Sequence, residues 1–470
     1  MRRSLGLVLG PAGFALLLLL PLPGLAPDAR KAAAVALLMG VFWISEALPI
    51  AATSLLPLAL FPLLGVRTIA ETASPYANPV IFLFLGGFVL AAGLERSGLH
   101  RRLAFRIIAL AGARRRNLLL GFMVATALLS AGVSNTATVA LMLPMAISVL
   151  DLVDPKREEG AGAFGTALML GLAYAATIGG LMTLIGTPPN ALLAGYLAQT
   201  HGITIGFAQW MLVGVPLAAV ALPLCWVVLV RLHPFSAGEV EGGRELIRRE
   251  LASMGATDRR ERLVAAIALL VAAAWILRPF LERAIPSISD PGIAVIGALL
   301  LFAIPFRLRP LEFVIGAGEL EAIPWSVLLL FGGGLSLAGA IESSGLARAM
   351  GEGMESFRSL PPWLVMLLIA TIVIFLTEMT SNTATAATFL PIVGSAAIGM
   401  GKEAAFLAIP AALAASCAFM LPVATPPNAI VFGSGRLTVP EMARAGIWMN
   451  LLMVALIGAV VTWVVPVVMR

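Results

Sequence analysis

Uncharged oxygen donors set deep in apolar sequence are the first chemistry this chain offers. Ser134-Asn135-Thr136-Ala137-Thr138 lies within a long hydrophobic run and recurs as Ser381-Asn382-Thr383-Ala384-Thr385, 247 residues later. Four residues before each of these serines stands another hydroxyl, Ser130 in one copy and Thr377 in the other. On a continuous helix, residues i and i+4 share a face, so each copy offers two hydroxyls and then a carboxamide. Such a set suits a small hard cation such as sodium, above all where a broken helix adds free carbonyl groups. A second motif, Thr-Pro-Pro-Asn-Ala, also occurs twice, starting at Thr187 and at Thr425, 238 residues apart. Paired prolines remove backbone donors and push the residues before them out of helical geometry. Gly186 and Ala424, just ahead of the motifs, are small and leave their carbonyls accessible.

Each motif taken singly has a plainer explanation. Ser, Thr and Ala let membrane helices pack closely, and a Pro-Pro pair kinks a helix. Duplication changes the balance, because two related halves that each carry a polar break read as one site built at their interface. An anion fits the same place. Helix amino ends follow each polar tip, and they carry partial positive charge and free N–H groups. The motifs hold no Lys or Arg, so a buried anion needs another counter-charge. A sodium ion about 4 Å away contributes on the order of 4 kcal/mol at a moderate effective dielectric. A helix end contributes about 0.3–1 kcal/mol. Anion binding and sodium binding are therefore coupled on electrostatic grounds.

The elements that must position these groups are membrane helices. Hydrophobic residues make up 60 % of the 470 and charged residues 12 %, a composition that cannot cover a water-soluble globule. Apolar segments fall near 5–26, 31–48, 50–66, 77–98, 117–150, 163–200, 207–231, 262–282, 290–305, 323–346, 362–400, 404–433 and 440–469. Segments 117–150 and 362–400 are too long for one straight span and too short for two, and each has Ser-Asn-Thr at its middle. They are predicted to be re-entrant hairpins, since irregular backbone at membrane depth is tolerated where it is protein-buried or lines a cavity. The remaining segments give eleven spans. Segments 163–200 and 404–433 carry the Pro-Pro motifs and are predicted to be broken helices. The fold class is thus an all-α polytopic membrane protein of two inverted-topology repeats with discontinuous helices.

The repeat extends beyond the motifs. Residues 84–99 align with 331–346 at the same 247-residue offset, with nine of sixteen positions identical. The division is an extra N-terminal helix at 1–30, a first repeat at 31–233, a cytoplasmic linker at 234–258 and a second repeat at 259–470. With the N-terminus inside, 22 of the 31 Lys and Arg residues fall on the cytoplasmic side, which favours N-in and C-out. That layout enters the first hairpin from the cytoplasm and the second from outside. The arginines at 101–102 and 114–116 read as a solvated or headgroup-facing helix rather than a nucleic-acid site. Glu378, beside the second hairpin tip, reads as a structural hydrogen-bond partner, with a cation or proton role as the alternative.

Paired Ser-Asn-Thr motifs, each followed by Gly/Ala-Thr-Pro-Pro-Asn, resemble the divalent anion:sodium symporter (DASS) family, and the similarity covers nearly the whole chain from Trp43 onward. The resemblance implies sodium-coupled uptake of C4-dicarboxylates, tricarboxylates or sulfate by a homodimer in the cell inner membrane, with a fixed scaffold and a moving unit working as an elevator. It implies a first sodium site of Ser130, Ser134, Asn135 and the Gly186 carbonyl, and a second of Thr377, Ser381, Asn382 and the Ala424 carbonyl. Substrate carboxylates would meet Asn135, Thr136, Thr187, Pro188, Asn382, Thr383, Thr425 and Pro426. C4-dicarboxylates such as succinate, malate and fumarate are the leading substrates. A sodium-independent dicarboxylate exchanger and a sulfate transporter are the alternatives.

Other classes fit less well. An anion channel needs rings of basic residues along a pore, which the spans lack. An intramembrane enzyme needs a nucleophile–base set or acidic metal ligands, and the scattered His100, His201 and His233 do not supply one. Cys225 and Cys417 lie in apolar spans and support neither a disulfide framework nor a metal site.

Overall fold

The computed structural model describes residues 2–20, 24–153, 162–353 and 360–469. The connection between segments 117–150 and 163–200, with Lys156 and Arg157, therefore lies largely outside the described residues. The described chain is almost entirely helical; its β-structure is one small antiparallel pair, Pro305–Leu308 with Leu311–Phe313, and an isolated bridge between Arg114 and Glu239. Among the described residues, seven helices are long and apolar enough to cross a membrane, and five shorter apolar helices accompany them. Each sequence segment that holds a polar motif is interrupted and falls into two helical pieces, some long enough to span and some shorter.

Each predicted hairpin is two helices with a break at the Ser-Asn-Thr. The first pairs Arg115–Ser130 with Asn135–Val153; the second pairs Pro362–Thr377 with Asn382–Gly399. Each predicted broken helix is likewise split. Gly162–Gly180 gives way to Pro188–His201, and Ala405–Ser416 to Pro426–Gly433. Proline stands at the first helical position of both second pieces, where its missing N–H is no loss. The first pieces are the most enclosed elements of the molecule. The apolar window of Gly162–Gly180 is 89 % buried, against 22 % for that of Val439–Val468. An all-round apolar helix is stable in either setting, in a protein core or facing lipid, so burial here separates the centre of the bundle from its rim.

The centre packs closely. Helix Gly162–Gly180 lies along Arg115–Ser130 of the first hairpin, and Ala405–Ser416 lies between the two arms of the second. Tyr174 and Phe419 meet edge to face with ring centroids 5.1 Å apart, joining the two interrupted helices in the core.

One expectation is corrected. The Arg101-Arg102 run is not wholly solvated. Arg102 is buried on helix Leu99–Ala111, with Nε 3.0 and 3.2 Å from the two carboxylate oxygens of Glu261. Its other nitrogens donate to the Gly255 and Met254 carbonyls at 2.9 and 3.1 Å. An Arg fork satisfied on all sides is the arrangement that makes a buried ion pair tolerable. Residues 234–258 fold back on this helix rather than looping free. They contain helix Gly243–Ser253, and Glu250 accepts from Arg101 at 2.8 Å.

Candidate functional site

In the first hairpin the helix ends at Ser130, so Ser130 and Ser134 do not share a continuous helical face as the i, i+4 spacing suggested. The backbone turns through Ala131–Val133, and Ser134 instead caps the next helix, its hydroxyl accepting the Ala137 N–H at 3.2 Å. Ser130 stays at the break for a different reason. Its hydroxyl donates to Asn135 Oδ1 and lies 2.8 Å from the Ala176 carbonyl oxygen. Gly180 is the point of closest approach. A Cβ placed there would sit 2.9 Å from Asn135 Oδ1 and 3.1 Å from the Gly186 carbonyl oxygen. The carboxamide of Asn135 and the carbonyl of Gly186 thus converge on one small volume, with the Ser130 hydroxyl bonded to the same carboxamide.

The second half repeats this plan. The helix ends at Thr377, whose hydroxyl lies 2.8 Å from Asn382 Oδ1 and 3.0 Å from the Ala415 carbonyl oxygen. Asn382 Nδ2 donates to the Ser416 carbonyl at 3.3 Å. Ser416 also joins the halves, for its hydroxyl is 3.4 Å from that of Thr187, across 229 residues of chain. Thr187 and Thr425 are buried at the N-caps of the helices that follow, and the Thr425 hydroxyl accepts the Asn428 N–H at 3.2 Å. Ser134 and Thr136 are exposed, whereas Ser381 and Thr383 are half-buried.

A cavity of about 440 Å³ reaches the first hairpin tip at Ser134 and Ala137. Its walls include Phe88, Glu95 and Arg96, and Arg96 is paired with Glu319 across it. That volume falls within the range of small-molecule sites.

Three positions that shape the breaks were not singled out in the sequence. Gly180 is the first. The second is Asn450, in the middle of helix Val439–Trp463; it donates to Glu378 Oε1 at 2.9 Å. A lone Asn in a membrane span was a visible signal. The third is Thr183, whose hydroxyl donates to the Ala131 carbonyl at 2.6 Å and accepts from the Gly186 N–H at 3.0 Å. Glu378 makes the hydrogen bonds expected of a structural partner. Its carboxylate accepts the N–H groups of Phe419, Met420 and Leu421 at 2.6–3.2 Å.

Interrupted helices in pairs, polar breaks converging in an apolar bundle, and a cavity leading to one of them define a multi-pass membrane transporter. The chain belongs to the sodium:sulfate symporter family, whose transmembrane region matches residues 2–470. The sodium-dependent dicarboxylate transporter SdcS of Staphylococcus saprophyticus is 43 % identical over 476 residues, covering 99 % of this chain and 92 % of that protein. SdcS of Staphylococcus aureus is 43 % identical over 479 residues, with the same coverage. Among solved structures, the YdaH transporter of Alcanivorax borkumensis shares the fold at a TM-score of 0.58 and 14 % identity, over 93 % of this chain and 98 % of that one. MtrF of Neisseria gonorrhoeae does so at a TM-score of 0.58 and 14 % identity, over 84 % and 83 %.

Proposed function

We propose that this protein couples sodium to the uptake of small divalent anions, with C4-dicarboxylates such as succinate, malate and fumarate as substrates. The observation that carries this reading is the duplicated set of a hydroxyl, a carboxamide and a nearby break in a second helix, at Ser130–Asn135 and at Thr377–Asn382. Sodium sits at each set. Ser130, Ser134, Asn135 and the Gly186 carbonyl serve the first, and Thr377, Ser381, Asn382 and the Ala424 carbonyl the second. The substrate lies between them, its carboxylates on Asn135, Thr136 and Thr187 from one half and Asn382, Thr383 and Thr425 from the other, with Pro188 and Pro426 shaping the floor. No Lys or Arg belongs to either set, so the sodium ions provide the positive charge that a dianion requires.

The N-terminus is cytoplasmic and the C-terminus external, in the cell inner membrane. On that orientation the Arg96 cavity opens to the cytoplasm, so this conformation faces inward, and an elevator movement of the hairpins with their interrupted helices exposes the site outside. The protein works as a homodimer embedded in lipid.

Proteoliposomes test this directly. Labelled succinate should accumulate under an inward sodium gradient and not when choline replaces sodium. Uptake that persists without sodium makes the protein an exchanger. Stronger competition by sulfate than by malate makes sulfate the substrate. Absence of both uptake and exchange overturns the proposal.

A further inference from the structure

The last residue of each Thr-Pro-Pro-Asn motif does something the motif alone does not reveal. Asn190 Nδ2 donates to the Gly180 carbonyl at 3.3 Å and to the Thr183 carbonyl at 2.8 Å. Asn428 Nδ2 donates to the Ala418 carbonyl at 3.3 Å and to the Leu421 carbonyl at 3.0 Å. In both cases the acceptors stand ten and seven residues upstream, at the end of the first helical piece (Gly180) or on the irregular stretch that joins the two pieces. Both asparagines are completely buried. A helix interruption leaves carbonyls without intrahelical partners, and in a membrane core each must find a donor. One carboxamide here serves two of them at once. It ties the far helix to the near lip of the gap and sets the path of the chain through 180–186 and 418–424.

That stretch ends at Gly186 in one half and at Ala424 in the other. We infer that Asn190 and Asn428 are positioning residues for the two cation sites: each holds an interrupted helix in the one shape that presents the Gly186 or Ala424 carbonyl to the cation. Neither side chain belongs to the ligand sets named above. The inference rests on the sodium-site reading above and adds residues outside both ligand sets. Duplication supports it, because the same pair of bonds is rebuilt at matching positions although the residues between differ. Coordination distances for a hard cation tolerate little error, so a carbonyl held less firmly weakens binding without abolishing the fold.

A sodium titration of thermal stability in detergent separates the possibilities, because a ligand that binds the folded state raises the melting temperature according to its affinity. The proteins are the parent chain, Asn190→Ser and Asn428→Ser, with choline balancing the ionic strength. Serine keeps one donor of shorter reach. In each variant the sodium concentration needed for half the stabilisation should rise about tenfold, the effect of one lost buried hydrogen bond. The second bond should be missed less. A purely structural role instead lowers the melting temperature in choline and leaves the sodium midpoint within twofold of the parent (a band of about 0.4 kcal/mol), which overturns the inference. Failure of both variants to yield monodisperse protein also overturns it, by making these residues folding determinants. A parent chain that sodium does not stabilise at all sinks the cation-site reading itself, and this inference with it.

Discussion

The two hairpin tips are built to one plan but are tied to their interrupted helices by different chemistry. In the first half the tip contributes a backbone carbonyl, that of Ala131, and the interrupted helix contributes the Thr183 hydroxyl that donates to it. In the second half the matching positions are Glu378 and Leu421. The leucine has no hydroxyl, and the tip instead sends a carboxylate that accepts three successive backbone N–H groups. The same contact is made once by a single hydroxyl–carbonyl bond and once by a buried carboxyl group that accepts several N–H groups. A group bonded to several donors holds more firmly than a single bond, but it also leaves more buried groups unpaired when removed. The second hairpin is therefore fixed to its partner helix more rigidly, and the first is the half with room to yield.

The largest expected effect tests that asymmetry. Glu378→Ala strands the N–H groups of residues 419–421 and the Asn450 carboxamide in a buried setting. An orphaned buried group costs about 1–3 kcal/mol, so the variant should lose transport outright and melt well below the parent. Glu378→Gln keeps the shape and one carbonyl acceptor and should retain measurable uptake. Thr183→Val, the matching change in the first half, should slow uptake only several-fold. Equal damage from the two changes would break the comparison.

Next in size is a steric contrast. Gly180 and Ala418 occupy matching places, each accepting a bond from the motif Asn. The first has no space for a methyl group, since a Cβ there would lie 2.9 Å from Asn135 Oδ1, closer than side chains normally approach. Gly180→Ala should therefore displace the Asn135 carboxamide and raise the sodium concentration for half-maximal uptake by about tenfold, a cost of about 1.4 kcal/mol. Ala418→Gly should change it less than twofold. Sodium activation curves of succinate uptake measure both, and an unchanged Gly180→Ala curve removes Asn135 from the first cation site.

What was legible in the sequence follows from these same residues. The breaks were readable because Ser-Asn-Thr and Pro-Pro are costly inside apolar runs, and because they recur in register. The tie between tip and interrupted helix was not readable, because Ala131 acts through its backbone and Leu421 through its amide, and neither side chain signals it. Gly180 was hidden among the other glycines of a small-residue helix. The i, i+4 rule misplaced Ser134, because it assumes a helix that continues where this one stops. Arg102 was misread for a related reason. A run of arginines looks solvated until a distant carboxylate, Glu261, is folded onto one of them.

The smallest contrast sharpens the comparison at the two serines. Ser134 spends one lone pair on capping the Ala137 N–H, while Ser381 stands at the matching N-cap without a side-chain cap bond. Losing a serine cap typically costs about 1 kcal/mol. Ser134→Ala should therefore lower the melting temperature even in choline and also weaken sodium activation. Ser381→Ala removes no cap, so its melting temperature in choline should match the parent while its sodium midpoint rises two- to threefold, less than 1 kcal/mol. The two serines would then play one role at the ion and different roles in the fold. If Ser381→Ala leaves the sodium midpoint untouched, the hydroxyl at that place is not a ligand, and the second cation site reduces to Thr377, Asn382 and a backbone carbonyl.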